Sequence, residues 1–172
     1  NQLAAAGLED AGADGERVRQ EIGARILATK MREFVTLGVV LGYRYEDSPV
    51  VVPDGSPAPP HDFVNYVPSS RPGSLAPHAW RHDGSSLYDH FGRGFTLLAG
   101  PGADAADLAA AQAQADACAV PLAVLQPQEG AIASLYPARY TLVRPDQHVA
   151  WRGDAWPADG QALLRRITGQ AP

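Results

Sequence analysis

A chain of 172 residues, 45% of them hydrophobic, has room for one domain with an appendage and enough apolar side chains to build a core. Its 14 basic residues against 19 acidic ones give a formal net charge of −5, and only Arg165 and Arg166 are adjacent cations, which argues against nucleic acid as a partner because phosphate neutralisation needs a clustered basic face. The single cysteine, Cys118, excludes an internal disulfide and a multi-cysteine metal site and suits a reducing, cytoplasmic setting, while no apolar run approaches the roughly 20 residues of a membrane helix.

The opening residues are Ala/Gly-rich without the basic start and apolar core of a secretory leader, and the first is Asn1 rather than Met, as expected of a trimmed chain. Asp14 is the expected N-cap of a long helix running to about Leu37. Val18, Ile22 and Ile26 recur at four-residue spacing, and Leu27, Met31 and Phe34 continue the stripe with the drift of a 3.6-residue period. Gly38 and Gly42 end the helical character. A helix with one apolar stripe and no helical neighbour in sequence must bury that face on another part of the protein.

Residues 43–77 carry Pro49, Pro53, Pro57, Pro59, Pro60, Pro68, Pro72 and Pro77. Proline lacks the amide donor and restricts the residue before it, so this stretch reads as an extended linker wrapping over the protein, with only residues 48–52 resembling a strand. From His78 a compact α/β pattern follows. A hairpin is expected around His82-Asp83-Gly84, then a buried strand over residues 94–98, and a helix capped by Asp104 that runs to about Cys118. A second strand follows Pro121, two more occupy 138–144 and 148–151 around Pro145-Asp146-Gln147, and a last helix is capped by Asp159. Strand, helix, strand, hairpin, helix is the order of a thioredoxin-like fold, a central mixed sheet flanked by helices.

Few motifs carry chemistry. Gly100-Pro101-Gly102-Ala103-Asp104-Ala105 follows a strand and opens a helix, as a dinucleotide-binding loop does. Pro101 removes one donor, however, and Asp104 puts a carboxylate where the phosphate would sit, so a tight strand-to-helix loop is the expectation. The same loop carries Cys-x-x-Cys in redox thioredoxins and has no cysteine here, while Cys118 lies at the far end of the helix, where the dipole disfavours a thiolate. His82, Asp83, Asp89 and His90 could converge on a metal but read as surface turn residues, and Ser85 and Ser86 lack the elbow of a serine hydrolase. Trp80, Trp151 and Trp156 read as core or hairpin packing. Tyr43-Arg44-Tyr45 and Arg71 are the remaining candidates, either interdomain anchors or contacts to a planar ligand or a carboxylate.

An ordered series of short motifs adds to this reading. Leu41-Gly42-Tyr43-Arg44-Tyr45, Ser48-Pro49, Arg71-Pro72-Gly73 and Ala76-Pro77-His78-Ala79-Trp80 come first. Asp83-Gly84-Ser85-Ser86-Leu87-Tyr88-Asp89, Phe91-Gly92, Gly94-Phe95-Thr96-Leu97-Leu98 and a closing Leu142-Val143-Arg144-Pro145-Asp146-Gln147-His148-Val149-Ala150-Trp151-Arg152 follow. The series resembles the C-terminal third of class A FAD-dependent aromatic-ring hydroxylases, the phenol hydroxylase-like and polyketide hydroxylase-like flavoprotein monooxygenases. The resemblance implies a thioredoxin-like terminal domain without redox cysteines, structural in role, packing on an upstream flavin-binding domain and contributing in some members to a homodimer. It implies FAD and NAD(P)H for the parent protein and no cofactor or catalytic residue in this segment. The expected division is residues 1–42 as the end of the flavin and substrate domain, 43–77 as linker and 78–172 as the thioredoxin-like domain. A stand-alone module binding a small aromatic ligand, without redox activity, is the alternative.

Overall fold

A computed structural model of the chain describes residues 6–170. They form two units, one gathering the chain up to Leu41 with His61–Tyr66, the other Gly42–Pro60 with everything from Val67 on.

The first unit is built on helix α1, Ala13–Phe34, and the single turn α2, Leu37–Val40. The cap of α1 is Gly12, with φ 92°, and not Asp14. Asp14 and Glu16 instead occupy the first turn, where the positive end of the helix favours carboxylates. The helix stops at Phe34, short of the expected Leu37, because the chain breaks at Val35 and Thr36 before turning again. Of the apolar stripe only Ile22 is buried, and Ile26, Leu27, Met31 and Phe34 face solvent. Gly38 lies so close to the 61–66 segment that a Cβ there would sit 1.8 Å from the Asp62 carbonyl oxygen.

The second unit holds a four-stranded sheet in the order β2-β1-β3-β4, formed by β1 (Phe95–Ala99), β2 (Leu122–Leu125), β3 (Tyr140–Val143) and β4 (Val149–Gly153). β1 pairs β2 in parallel and β3 antiparallel, and β3 pairs β4 antiparallel, which is the expected thioredoxin-like arrangement. The crossover from β1 to β2 is α3, Ala105–Ala117, capped by Asp104, and α5, Gly160–Ile167, is capped by Asp159. Alternation along the strands divides the core into two faces. Phe95, Leu97, Tyr140 and Leu142 meet Ala111 and Ala115 of α3 and Leu163, Leu164 and Ile167 of α5. On the other face Leu98, Val143 and Val149 meet Ala76, Leu87 and Ile132.

Ile132 belongs to α4, Gly130–Leu135, a helix that the sequence pattern did not predict. The expected hairpin around Asp83-Gly84 reduces to a single bridge between Trp80 and Ser86, after which Leu87–His90 forms a 3-10 turn. Trp156 is buried as expected, but Trp80 is 69% exposed.

The proline-rich stretch of the second unit covers the outer edge of β4, which would otherwise present unpaired backbone groups. Val52 donates to the Ala150 carbonyl at 2.8 Å, Gly73 to Val149 at 2.8 Å, Val149 to Ser74 at 2.9 Å and Ala76 to Gln147 at 2.8 Å. Residues 48–52 are therefore not a strand: after a turn at Pro49 and Val50, only Val52 reaches the sheet. From α5, Arg166 donates to the carbonyls of Pro49 at 3.3 Å and Val51 at 3.1 Å.

From β4, Arg152 reaches Asp54 at 2.6 Å. Burial pushes the Asp54 carboxyl up, but the Ser56 hydroxyl and amide and the Arg152 guanidinium outweigh it and hold its pKa at about 2. A carboxyl depressed in this way stabilises the fold above its unfolded value near pH 4, and the contribution is lost as the pH falls through about 2. Asp54→Asn should cost about 1 kcal/mol at neutral pH, solvent screening having reduced the full linkage value. Urea midpoints of variant and parent should converge as the pH is lowered from about 4 towards 2. Equal separation at every pH would contradict this.

Candidate functional site

Tyr43 and Tyr45 lie two residues apart on an extended run, so both rings fall on one side. That side meets His148, at the start of β4, with ring centroids 5.0 Å from Tyr43 and 4.6 Å from Tyr45, while the two tyrosines contact each other edge to face at 5.5 Å. The site joins residues a hundred positions apart through the edge-covering segment, whose Leu75 bridges to His148.

His148 is 2% exposed. Its Nδ1 lies 3.1 Å from the Asp146 carbonyl oxygen, which can only accept, so Nδ1 is the donor there and the other ring nitrogen is Nε2. That Nε2 is buried and has no hydrogen-bond partner among the described residues. Asp146 is paired with Arg144 at 2.9 Å, and Gln147 takes a positive φ of 67° to complete the turn. The Tyr43 phenol is raised above its usual value, first by its hydrogen bond with the Tyr45 side chain, then by burial and by the neighbouring Tyr45 and Asp146 charges.

Arg44 and Arg71 converge elsewhere. Both guanidinium groups meet Oε1 of Glu46, at 2.8 Å and 3.3 Å, and both also donate to backbone carbonyls, Arg44 to Pro59 at 3.0 Å and Arg71 to Ser56 at 3.1 Å. Together they clasp the proline-rich segment. Glu46 carries no local signal in the sequence, and His148 stands there only within the closing motif of residues 142–152.

The remaining motifs make contacts within the fold. Asp104 Oδ1 accepts from the Ala106 amide at 2.7 Å, and the Asp104 amide donates to the Tyr140 hydroxyl at 2.7 Å. With Pro101 lacking a donor, the N-terminus of α3 is filled by the protein's own groups, and the loop does not fit the pyrophosphate of FAD or a pyridine nucleotide. Cys118 is the C-cap of α3. The Ser85 hydroxyl lies 2.6 Å from Asp83 Oδ1 and 2.7 Å from His90 Nε2. Here the carboxylate holds the serine and not the imidazole, which is not the arrangement of a catalytic triad. No group of three metal-ligating side chains forms among the described residues.

Residues 69–171 match the family described as the C-terminal region of aromatic-ring hydroxylases. The chain belongs to this family. It is 37% identical to aklavinone 12-hydroxylase RdmE of Streptomyces purpurascens, covering 95% of this chain and 36% of that protein. Against the FAD-dependent monooxygenase opdD of Penicillium oxalicum the identity is 32%, covering 86% and 28% respectively. The solved structure of the rebeccamycin biosynthetic enzyme RebC with reduced flavin superposes with a TM-score of 0.85 at 37% identity, covering 99% of this chain and 31% of that one. The chain spans about a third of the length of these relatives and corresponds to their C-terminal segment.

Proposed function

We propose that the chain is the non-catalytic C-terminal portion of an FAD- and NAD(P)H-dependent aromatic-ring hydroxylase, a cytoplasmic enzyme that places one oxygen atom on an electron-rich ring. The observation that carries this reading is the superposition of 99% of the chain on 31% of a flavin-containing relative. The α3 loop agrees with it, since it has no free helix terminus to offer a dinucleotide. In this reading residues 1–42 end the flavin and substrate domain, the clasp of Arg44 and Arg71 on Glu46 anchors the chain where it leaves that domain, and the thioredoxin-like domain buttresses the parent and contributes to its dimer contacts. FAD and NAD(P)H bind upstream, and this segment binds neither.

The exposed face of α1 is the surface that the upstream domain would cover. Leu27 is 60% exposed and Phe34 80% exposed, an arrangement with little reason in an isolated domain. The isolated chain should therefore bind a hydrophobic reporter dye. The double substitution Leu27→Glu and Phe34→Glu should remove most of the emission while shifting the thermal midpoint by no more than about 2 °C, because neither side chain is packed. A parent chain that binds no dye, or a variant that unfolds, would count against a missing partner.

A further inference from the structure

A cleft of about 390 Å3 opens in the second unit where β1 and β2 begin and α3 ends. Its apolar lining comes from Val120, Pro121 and Leu122, while α3 contributes Gln112 and Asp116 and the loop before β1 contributes Arg93. The loop is held in place. The Gly92 amide donates to Thr96 Oγ1 at 2.9 Å, and a Cβ at Gly92 or Gly94 would lie 3.0 Å from the Ala123 Cβ or 2.3 Å from the Pro121 carbonyl oxygen. Arg93 makes no hydrogen bond or ion pair with any described residue, Asp116 included. Asp116 accepts from Gln112 Nε2 through one oxygen, at 2.9 Å, and stands in the last turn of α3, which carries no basic residue. The negative end of a helix favours a cation beside it, as the carboxylate itself does. A simple anion drawn to Arg93 would meet the Asp116 carboxylate, and a simple cation drawn to Asp116 would meet the Arg93 guanidinium. A molecule that carries both charges can satisfy both groups, and the apolar lining suits an apolar side chain on it. The volume lies at the small end of ligand cavities, about 300–1,000 Å3, as a single amino acid requires.

We propose that this cleft binds a free amino acid with an apolar side chain, its carboxylate paired with Arg93, its ammonium with Asp116 and its side chain against Val120, Pro121 and Leu122. The site lies wholly within the second unit, and it stands or falls independently of the role of the chain in a longer flavoprotein.

The test is a titration of the 15N-labelled chain with leucine, with leucinamide, which keeps only the ammonium, and with N-acetylleucine, which keeps only the carboxylate. Leucine should shift the Gly92 and Gly94 amides and the Gln112 side-chain amide saturably. It should bind about fivefold more tightly than either comparison probe, the worth of one partly solvated ion pair. Arg93→Gln should remove the advantage over leucinamide, and Asp116→Asn, which still accepts from Gln112, should remove the advantage over N-acetylleucine. Both side chains are exposed, so each variant should keep the thermal midpoint of the parent chain. No saturable shift at these positions, equal affinities for the three probes, or a leucine advantage that survives both substitutions would overturn the proposal.

Discussion

Truncating Leu142 to alanine should lower the unfolding free energy of the chain by roughly 3 kcal/mol, within the range of about 2–5 for a fully buried leucine. Leu142 is 0% exposed and stands on β3, opposite Leu97 of β1 on one side and Trp151 of β4 on the other. Its side chain lies in the layer where the sheet meets α3 and α5, so the cavity left behind is walled by both helices and two strands. Rigid strands on either side leave little scope for collapse, which places the cost towards the middle of the range and not at its floor. A urea titration followed by far-UV circular dichroism should show a lower midpoint with an unchanged slope. A loss below about 1 kcal/mol would mean that the sheet and helices are not packed as described.

Gly94→Ala should be nearly as damaging, for a different reason. A Cβ at Gly94 would lie 2.3 Å from the Pro121 carbonyl oxygen and 2.7 Å from the Pro121 Cβ, and a backbone oxygen cannot swing aside as a long side chain can. The same carbonyl accepts from the Phe95 amide at 2.9 Å, the bond from which the parallel pairing of β1 and β2 begins. Room for the methyl group is gained only by parting the two chains at that point, at a cost of about 2 kcal/mol or more. Hydrogen exchange reads the effect locally: the Phe95 amide should lose protection before the amides of β3 do. Unchanged protection of Phe95 in a folded variant would show that the close approach is absent.

The elements that the sequence displayed are those whose pattern is local. A five-residue apolar run makes β1, a proline sets the start of β2, and side-chain caps at Asp104 and Asp159 fix the starts of α3 and α5. The elements it hid are short or depend on distant neighbours. α4 has six residues, too few to show a period, and it is helical because Ile132 completes the second face of the sheet. Asp14 had the chemistry of a cap, but Gly12 reaches a positive φ that an aspartate seldom adopts, and the helix begins two residues earlier. Residues 48–52 had the composition of a strand, yet Pro49 lies among them and Pro53 follows, and only the Val52 amide bonds to β4. The site divides in the same way. Tyr43 and Tyr45 stand out as an aromatic pair around an arginine, whereas His148 becomes their neighbour only when the proline-rich segment is laid along β4.

This placement also explains why so long a proline-rich stretch is tolerated. Its part in the second unit serves as the cover of a sheet edge, making isolated hydrogen bonds to β4, and is held from outside by Arg152 and Arg166. Proline suits the task because an edge cover needs few donors of its own and should not recruit another strand.

The measurement that bears most directly on the proposed role is a titration of the purified chain with FAD, followed by flavin fluorescence, with NADH and NADPH oxidation then monitored in the presence of phenol. A non-catalytic segment predicts full flavin emission at every protein concentration and no oxidation of either nucleotide above the rate without protein. Saturable quenching of the flavin together with nucleotide turnover would show that the chain builds a flavin site of its own, and would contradict the assignment of catalysis to the region upstream.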